Sequence, residues 1–232
     1  MARLRRIVLP GQPHVILHRG HNGQAVFVDA EDRTAYLASL REAAREAQVA
    51  VHAYGLLAGE VRLLVTPSSE AGLGQMLQAV GRRFVRGFNR RHGRSGTPWE
   101  GRFRSTVIET APHFVACMHF VEAPTAAPGI DDAPAWSSTE HHSGGRRDEL
   151  VAPHPAFWAL GNTPFDREAA YRRVVAQPLA PQVMAAILHA AQNGWVLGSA
   201  EFAAWVAGQT GRRPQPAARG RPVKPQMTMA ED

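Results

Sequence analysis

The chain has 232 residues, 44% of them hydrophobic, which is enough for a sizeable core and argues against bulk disorder. Its formal net charge is +6, carried by 25 arginines and one lysine, Lys224, and its single cysteine, Cys117, excludes an internal disulfide and fits a reducing cytoplasm. Neither an uncharged apolar run long enough for a membrane span nor an apolar signal region after the basic start MARLRRIVLPGQPH is present, so no membrane partner is expected.

The first element is HVILH (14–18), with strand composition, followed by the turn-rich RGHNGQAVF. DAEDRTAYLASLREAAREAQ (29–48) reads as a helix, with Asp29 as N-cap and Tyr36, Leu37, Leu40, Ala44 and Ala47 recurring near helical spacing. VAVHAYGLL (49–57) and EVRLLVTP (60–67) form a strand hairpin across Ala58-Gly59. Residues 68–93 form a second helix, with an apolar stripe of Leu73, Met76, Leu77, Val80, Phe84 and Phe88 and with Gly93 as its cap. PWEGRFRSTVIE (98–109) has the look of a fourth strand and HFVACMHFVEA (113–123) of a third helix. The order β-α-β-β-α-β-α predicts an α+β, ferredoxin-like sandwich, with four antiparallel strands and helices packed on one face.

The loop-rich stretch 123–145 ends this core. Three helical segments follow, at 166–177, 181–194 and 199–211. The expected organisation is a core over 1–140, a linker over 141–165, a helical C-terminal region over 166–211, and a basic, Pro-rich tail over 212–232 of disordered composition.

Charge is concentrated in two blocks. Residues 82–104 hold Arg82, Arg83, Arg86, Arg90, Arg91, Arg94, Arg102 and Arg104 against one acid, Glu100. Residues 208–225 hold Arg212, Arg213, Arg219, Arg221 and Lys224 with no acid. Localised blocks of this kind match a polyanion, most often nucleic acid. In the first block Phe84, Phe88, Trp99 and Phe103 are interleaved with the arginines. That composition suits phosphate contacts beside base stacking, with Trp99 as the candidate platform, while Phe84 and Phe88 belong to the core stripe. His141, His142 and His154 match no metal-ligand spacing, and a lone helical His119 reads as an ordinary surface or core residue rather than a base or nucleophile.

The stretches HVILHRGHNGQAVF, HAYGLL, FNRRHGRSGTPWEGRFRSTVIE, AWSS, NGWVLGSAEF and RGRPVKP together resemble the REP-associated tyrosine transposases, single-tyrosine HUH transposases of insertion sequences with a ferredoxin-like core. The resemblance covers most of the chain and is densest in FNRRHGRSGTPWEGRFRS. It implies DNA transposition chemistry, a Mg²⁺ or Mn²⁺ ion polarising the scissile phosphate, and palindromic single-stranded or hairpin DNA as partner. In the family the hairpin strand continues into Asn and then His-hydrophobic-His, whose histidines share one strand face toward the metal. The matching positions here are Gly59, Glu60, Val61 and Arg62. Glu60 retains oxygens for a hard cation, whereas a guanidinium has no lone pair to give. The family's nucleophilic tyrosine corresponds to Phe120, which has no oxygen, and the Asn that completes the ligand set corresponds to Pro124.

Catalytic equivalents are therefore replaced within a scaffold that is still recognisable. The expected function is DNA binding without strand cleavage, in the cytoplasm, with no cofactor and with a homodimer among the permitted assemblies. Two alternatives stay open: an active transposase with altered ligands, and a non-DNA interaction module whose arginines keep it soluble. DNA and RNA are not separated at this level.

Overall fold

The computed structural model describes residues 6–123 and 136–215. Its elements are β1 (His14–Arg19), α1 (Ala30–Glu46), β2 (Val49–Leu56), β3 (Glu60–Pro67), α2 (Gly72–His92), β4 (Arg104–Val107), α3 (Thr110–Glu122), α4 (Thr139–His142), α5 (Pro155–Trp158), α6 (Pro164–Val175), α7 (Pro181–Asn193) and α8 (Ala200–Thr210). The strands form one antiparallel sheet in the order β2-β3-β1-β4, which is the ferredoxin-like order expected of a β-α-β-β-α-β chain.

Local chemistry sets the boundaries. The Asp29 carboxylate accepts from the amides of Glu31 and Asp32, so α1 starts where the cap satisfies its first orphan donors. Gly93 takes a left-handed conformation (φ 59°) and ends α2, a geometry that is inexpensive without a Cβ. The fourth strand is shorter than the 98–109 expected. Residues 93–103 instead loop back, and a bridge between Gly20 and Trp99 pins that loop to the end of β1.

The sheet separates two apolar layers. Toward α1 and α2 lie Ile16, Tyr36, Leu40, Val51, Leu56, Val61, Leu63, Val65, Phe84 and Phe88. Toward α3 lie Val15, Leu17, Ala53, Leu64, Phe114, Met118 and Phe120, joined by Tyr171 of α6 and Ile187, Ala190 and Ala191 of α7. The helices thus cover both faces, not one. α8 adds a third cluster, Val206 and Ala203 against Ile7, Leu9 and Val107.

The stretch expected to be a linker is structured as well. It carries α4 and α5, and Val151 bridges in parallel to Val51 on the outer edge of β2. Ser137 bridges Gly55 on the same edge, and Leu197 bridges Ile108 just beyond β4. Both sheet edges are in this way covered by the C-terminal half, which removes two templates for unwanted strand pairing. The segment 166–211 accordingly packs into the core rather than standing apart from it.

Candidate functional site

Strand alternation puts Glu60 and Arg62 on the face of the sheet that carries α3. The register brings Arg19 opposite Glu60, and places Leu17 between Arg62 on one side and Arg104 on the other. On β2 the residue opposite Arg62 is Gly55. A Cβ at Gly55 would collide with the carbonyl oxygen of Val121, so this glycine is what lets the C-terminal turn of α3 rest directly on the sheet. That approach places Phe120 over Arg62.

The result is a closed charged cluster. The Arg62 Nε donates to Glu60 Oε1 at 2.7 Å, and its second nitrogen donates to the Phe120 carbonyl oxygen at 3.0 Å. Its guanidinium carbon lies 4.5 Å from the centre of the Phe120 ring, a cation–π contact. Glu60 Oε2 accepts from Arg19 Nε at 2.5 Å. The Arg62 and Glu60 side chains are 8% and 12% exposed, while Arg19 is 48% exposed and marks the way out to solvent. One carboxylate therefore bridges two guanidiniums, and Glu60, Arg62 and Phe120, the three residues singled out by the resemblance, do meet.

These residues do not fit a divalent cation. Both Glu60 oxygens already accept guanidinium donors, and Arg62 brings positive charge to the place of a ligand. Among the described residues no group of three or more His, Cys, Asp or Glu could hold a metal ion. Pro124 lies outside the described residues.

A second buried polar cluster lies one helical step away and was not foreseen. Glu122 Oε1 accepts from Ser138 Oγ at 2.5 Å and from His142 Nδ1 at 2.6 Å, and Oε2 accepts from the Tyr171 hydroxyl at 2.6 Å. All four side chains are buried, and together they tie α3 to α4 and α6. Burial, together with the Glu122 charge, pushes the Tyr171 hydroxyl well above its ordinary pKa. Tyr54 is raised by burial and by its 2.6 Å bond to Asp148, and Tyr36 by burial alone. All three tyrosines of the chain are buried structural residues. His119 is buried too, and burial lowers its pKa against the opposing pull of Glu122.

His141, His142 and His154 line one cavity of about 340 Å³ together with His52. Each has a structural task there: His142 on Glu122, His141 accepting from the Asp148 amide, and His154 capping α5 while stacked 3.9 Å from Phe114.

The first arginine block is divided by the sheet. Arg83 pairs with Glu46 at 2.7 Å and Arg91 with Asp29 and Asp32 at 2.5 and 2.6 Å, which staples α2 to α1. Arg82, Arg86 and Arg90 are exposed on α2, and Arg94 lies 5.5 Å over Phe88. Arg102 and Arg104 belong to the opposite side, where with Leu17, Arg19, Glu100 and Gln192 they line a cavity of about 230 Å³ beside the Glu60–Arg62 cluster. Trp99 is corrected as a stacking platform: it is 5% exposed and its ring already stacks on His18, 4.1 Å away. Phe84 and Phe88 are core residues, and Phe103 carries the guanidinium of Arg6 at 3.8 Å. Burial first, then the charges of Arg102 and Arg104, lower the Arg6 pKa to about 10. In the second block Arg212 is half-buried at the end of α8 and Arg213 is exposed, whereas Arg219, Arg221 and Lys224 lie outside the described residues. Arg6 and Arg19 carried no signal of their own in the sequence, since only the β1–β3 register sets Arg19 against Glu60.

No protein-family model and no curated protein sequence matches the chain. Among solved structures, it is similar to a REP-associated tyrosine transposase bound to a REP hairpin, with a TM-score of 0.52 and 12% identity over 67% of this chain and 93% of that one. At this identity the likeness shows a shared fold. A transposase-like protein from Deinococcus radiodurans aligns over 47% of this chain and 87% of its own at 19% identity, with a TM-score of 0.35 that is too low to support any inference. No helix among the described residues is long and apolar enough to cross a membrane.

Proposed function

We propose that the chain binds single-stranded or hairpin DNA through its arginines and does not cut it. The reading is carried by one observation: Arg62 fills the space between Glu60 and the ring of Phe120, where the resemblance to the tyrosine transposases places a histidine ligand and a nucleophile. Attack on a phosphodiester needs an oxygen that can reach phosphorus, and a phenyl ring supplies none. Moving the task to another tyrosine would require a buried hydroxyl with a raised pKa to leave its place in the fold. A hairpin is the first ligand to try because the solved structure that shares this fold at TM-score 0.52 is bound to one. DNA is preferred over RNA on the resemblance alone, and binding is expected to need no metal ion.

The test incubates purified protein with a labelled single-stranded hairpin oligonucleotide and Mg²⁺ or Mn²⁺, and scores three signals: retention, nicking, and an adduct that survives denaturation. Retention without nicking is the expected result. Nicking or a stable adduct would establish the active alternative. No retention of hairpin, duplex or single strand at low salt would leave the chain as a protein-interaction module.

A further inference from the structure

A phosphate held without a metal ion needs another source of positive charge. The α3 face of the sheet offers one. Arg19, Arg102 and Arg104 converge on the cavity of about 230 Å³ at the β1–β4 edge. Arg19 enters it from the Glu60 cluster, using only its Nε on Glu60 and leaving its terminal nitrogens without a protein partner among the described residues. The Arg102 side chain has no hydrogen-bond or ion-pair partner among the described residues, and Arg104 spends one nitrogen on the Gln192 carbonyl at 3.3 Å. Glu100 also lines the cavity yet forms no ion pair with any of the three, although its amide donates to the Arg19 carbonyl at 2.8 Å. Counting Arg62 and the Glu60 it shares with Arg19, four guanidiniums stand against two carboxylates, which leaves the cavity and its rim cationic.

We infer that Arg19, Arg102 and Arg104 form a metal-independent seat for one backbone phosphodiester of the bound DNA, taking over the charge that a divalent cation supplies in catalytic relatives. This rests on the DNA-binding reading above and adds where the strand docks. Planar guanidiniums suit the task, since each presents several donors to phosphate oxygens without the strict geometry of a metal. Arg62 stays buried beside the seat, held by the Glu60 carboxylate that it shares with Arg19, while the exposed Arg102 and Arg104 face the ligand.

The experiment measures the affinity of a fluorescent single-stranded hairpin oligonucleotide in EDTA. It compares the wild-type chain, Arg102→Ala/Arg104→Ala, and Arg82→Ala/Arg86→Ala/Arg90→Ala as a comparator on the other sheet face, with circular dichroism showing that each variant is folded. The expected result is tight wild-type binding in EDTA, a loss of roughly tenfold or more in the Arg102/Arg104 variant, and a salt slope lower by about one for the one phosphate no longer neutralised. A scan of single neutral methylphosphonate linkages ties the effect to the backbone: one linkage should reproduce the loss in the wild type and cost nothing further in the variant. Equal affinity and equal slope for wild type and the Arg102/Arg104 variant would overturn the seat while leaving DNA binding intact. A scan with no sensitive linkage would overturn it too. A wild-type chain that binds no oligonucleotide would overturn both this inference and the proposed function.

Discussion

The two faces of the sheet solve the same packing problem with different materials. Toward α1 and α2 the core is hydrocarbon and aromatic, and its ionic contacts are few: Arg83 with Glu46 lies in water at the rim, and Arg91 spans the half-exposed Asp29 and the buried Asp32. Toward α3 the sheet buries Glu60, Arg62, Glu122, Ser138 and His142, each held by named partners. Charges taken out of water are costly and become tolerable only when fully bonded, so a fold that keeps them there retains specificity rather than stability. The contrast teaches which face carries the buried polar chemistry: it is the one on which Glu60, Arg62 and Phe120 meet.

Acidification should weaken the sheet from both faces, through His14 and His18 on one and His52, against Phe114, on the other. Burial holds His14 and His18 neutral on β1, and His52 on β2, each with a pKa of about 4 against an ordinary 6.5. A folded-state pKa below the unfolded one means that stability is full above pH 6.5 and is lost as pH falls from there toward 4, at up to about 1.4 kcal/mol per pH unit for each histidine. Thermal unfolding across pH 4–7 should show this slope, and His18→Phe should flatten it. An unchanged melting temperature down to pH 4.5 would contradict it.

On the polar face, Arg62→Ala should be the most damaging single change, about 3–5 kcal/mol in urea unfolding, because it removes the main partner of a buried carboxylate and uncovers Phe120. The double change Glu60→Leu/Arg62→Leu should cost less than Arg62→Ala alone, and a larger cost would show that the pair stabilises rather than specifies. Glu122→Ala should cost about 3 kcal/mol, since Ser138, His142 and Tyr171 lose their common acceptor.

The finest comparison sets two buried tyrosines side by side. Tyr171→Phe should cost about 2 kcal/mol by leaving Glu122 Oε2 without its donor. Tyr36→Phe should lie within about 0.5 kcal/mol of wild type, because the Tyr36 hydroxyl is buried with no hydrogen-bond partner among the described residues. Equal losses at both positions would erase the distinction between the faces.

Periodic elements were legible because their signals are local. Asp29 as a cap, Gly93 as a helix end and the Leu73–Phe88 stripe need only a few neighbouring residues to declare themselves. The short fourth strand was overread because Trp99 and Phe103 carry strand-like composition while serving as core plugs in a loop. Trp99 itself was misread for the same reason: an aromatic among arginines has one composition whether its ring faces solvent or His18. The candidate site was half visible. Glu60, Arg62 and Phe120 stood out by residue type against the family they resemble, yet Arg19, Glu122, His142 and Tyr171 entered only through contacts spanning 20 to 49 positions.

The amino-acid sequence alone determined which functional groups stand at 60, 62 and 120, since the atoms of a carboxylate, a guanidinium and a phenyl ring do not depend on where they fold. Tertiary structure alone decided which arginines are spent on helix pairing and which face a cavity. It also decided that the C-terminal half closes the sheet instead of trailing from it. The reason is range: the identity of a side chain is a property of one position, whereas a salt bridge, a stacked ring or a covered strand edge exists only when the chain returns to itself.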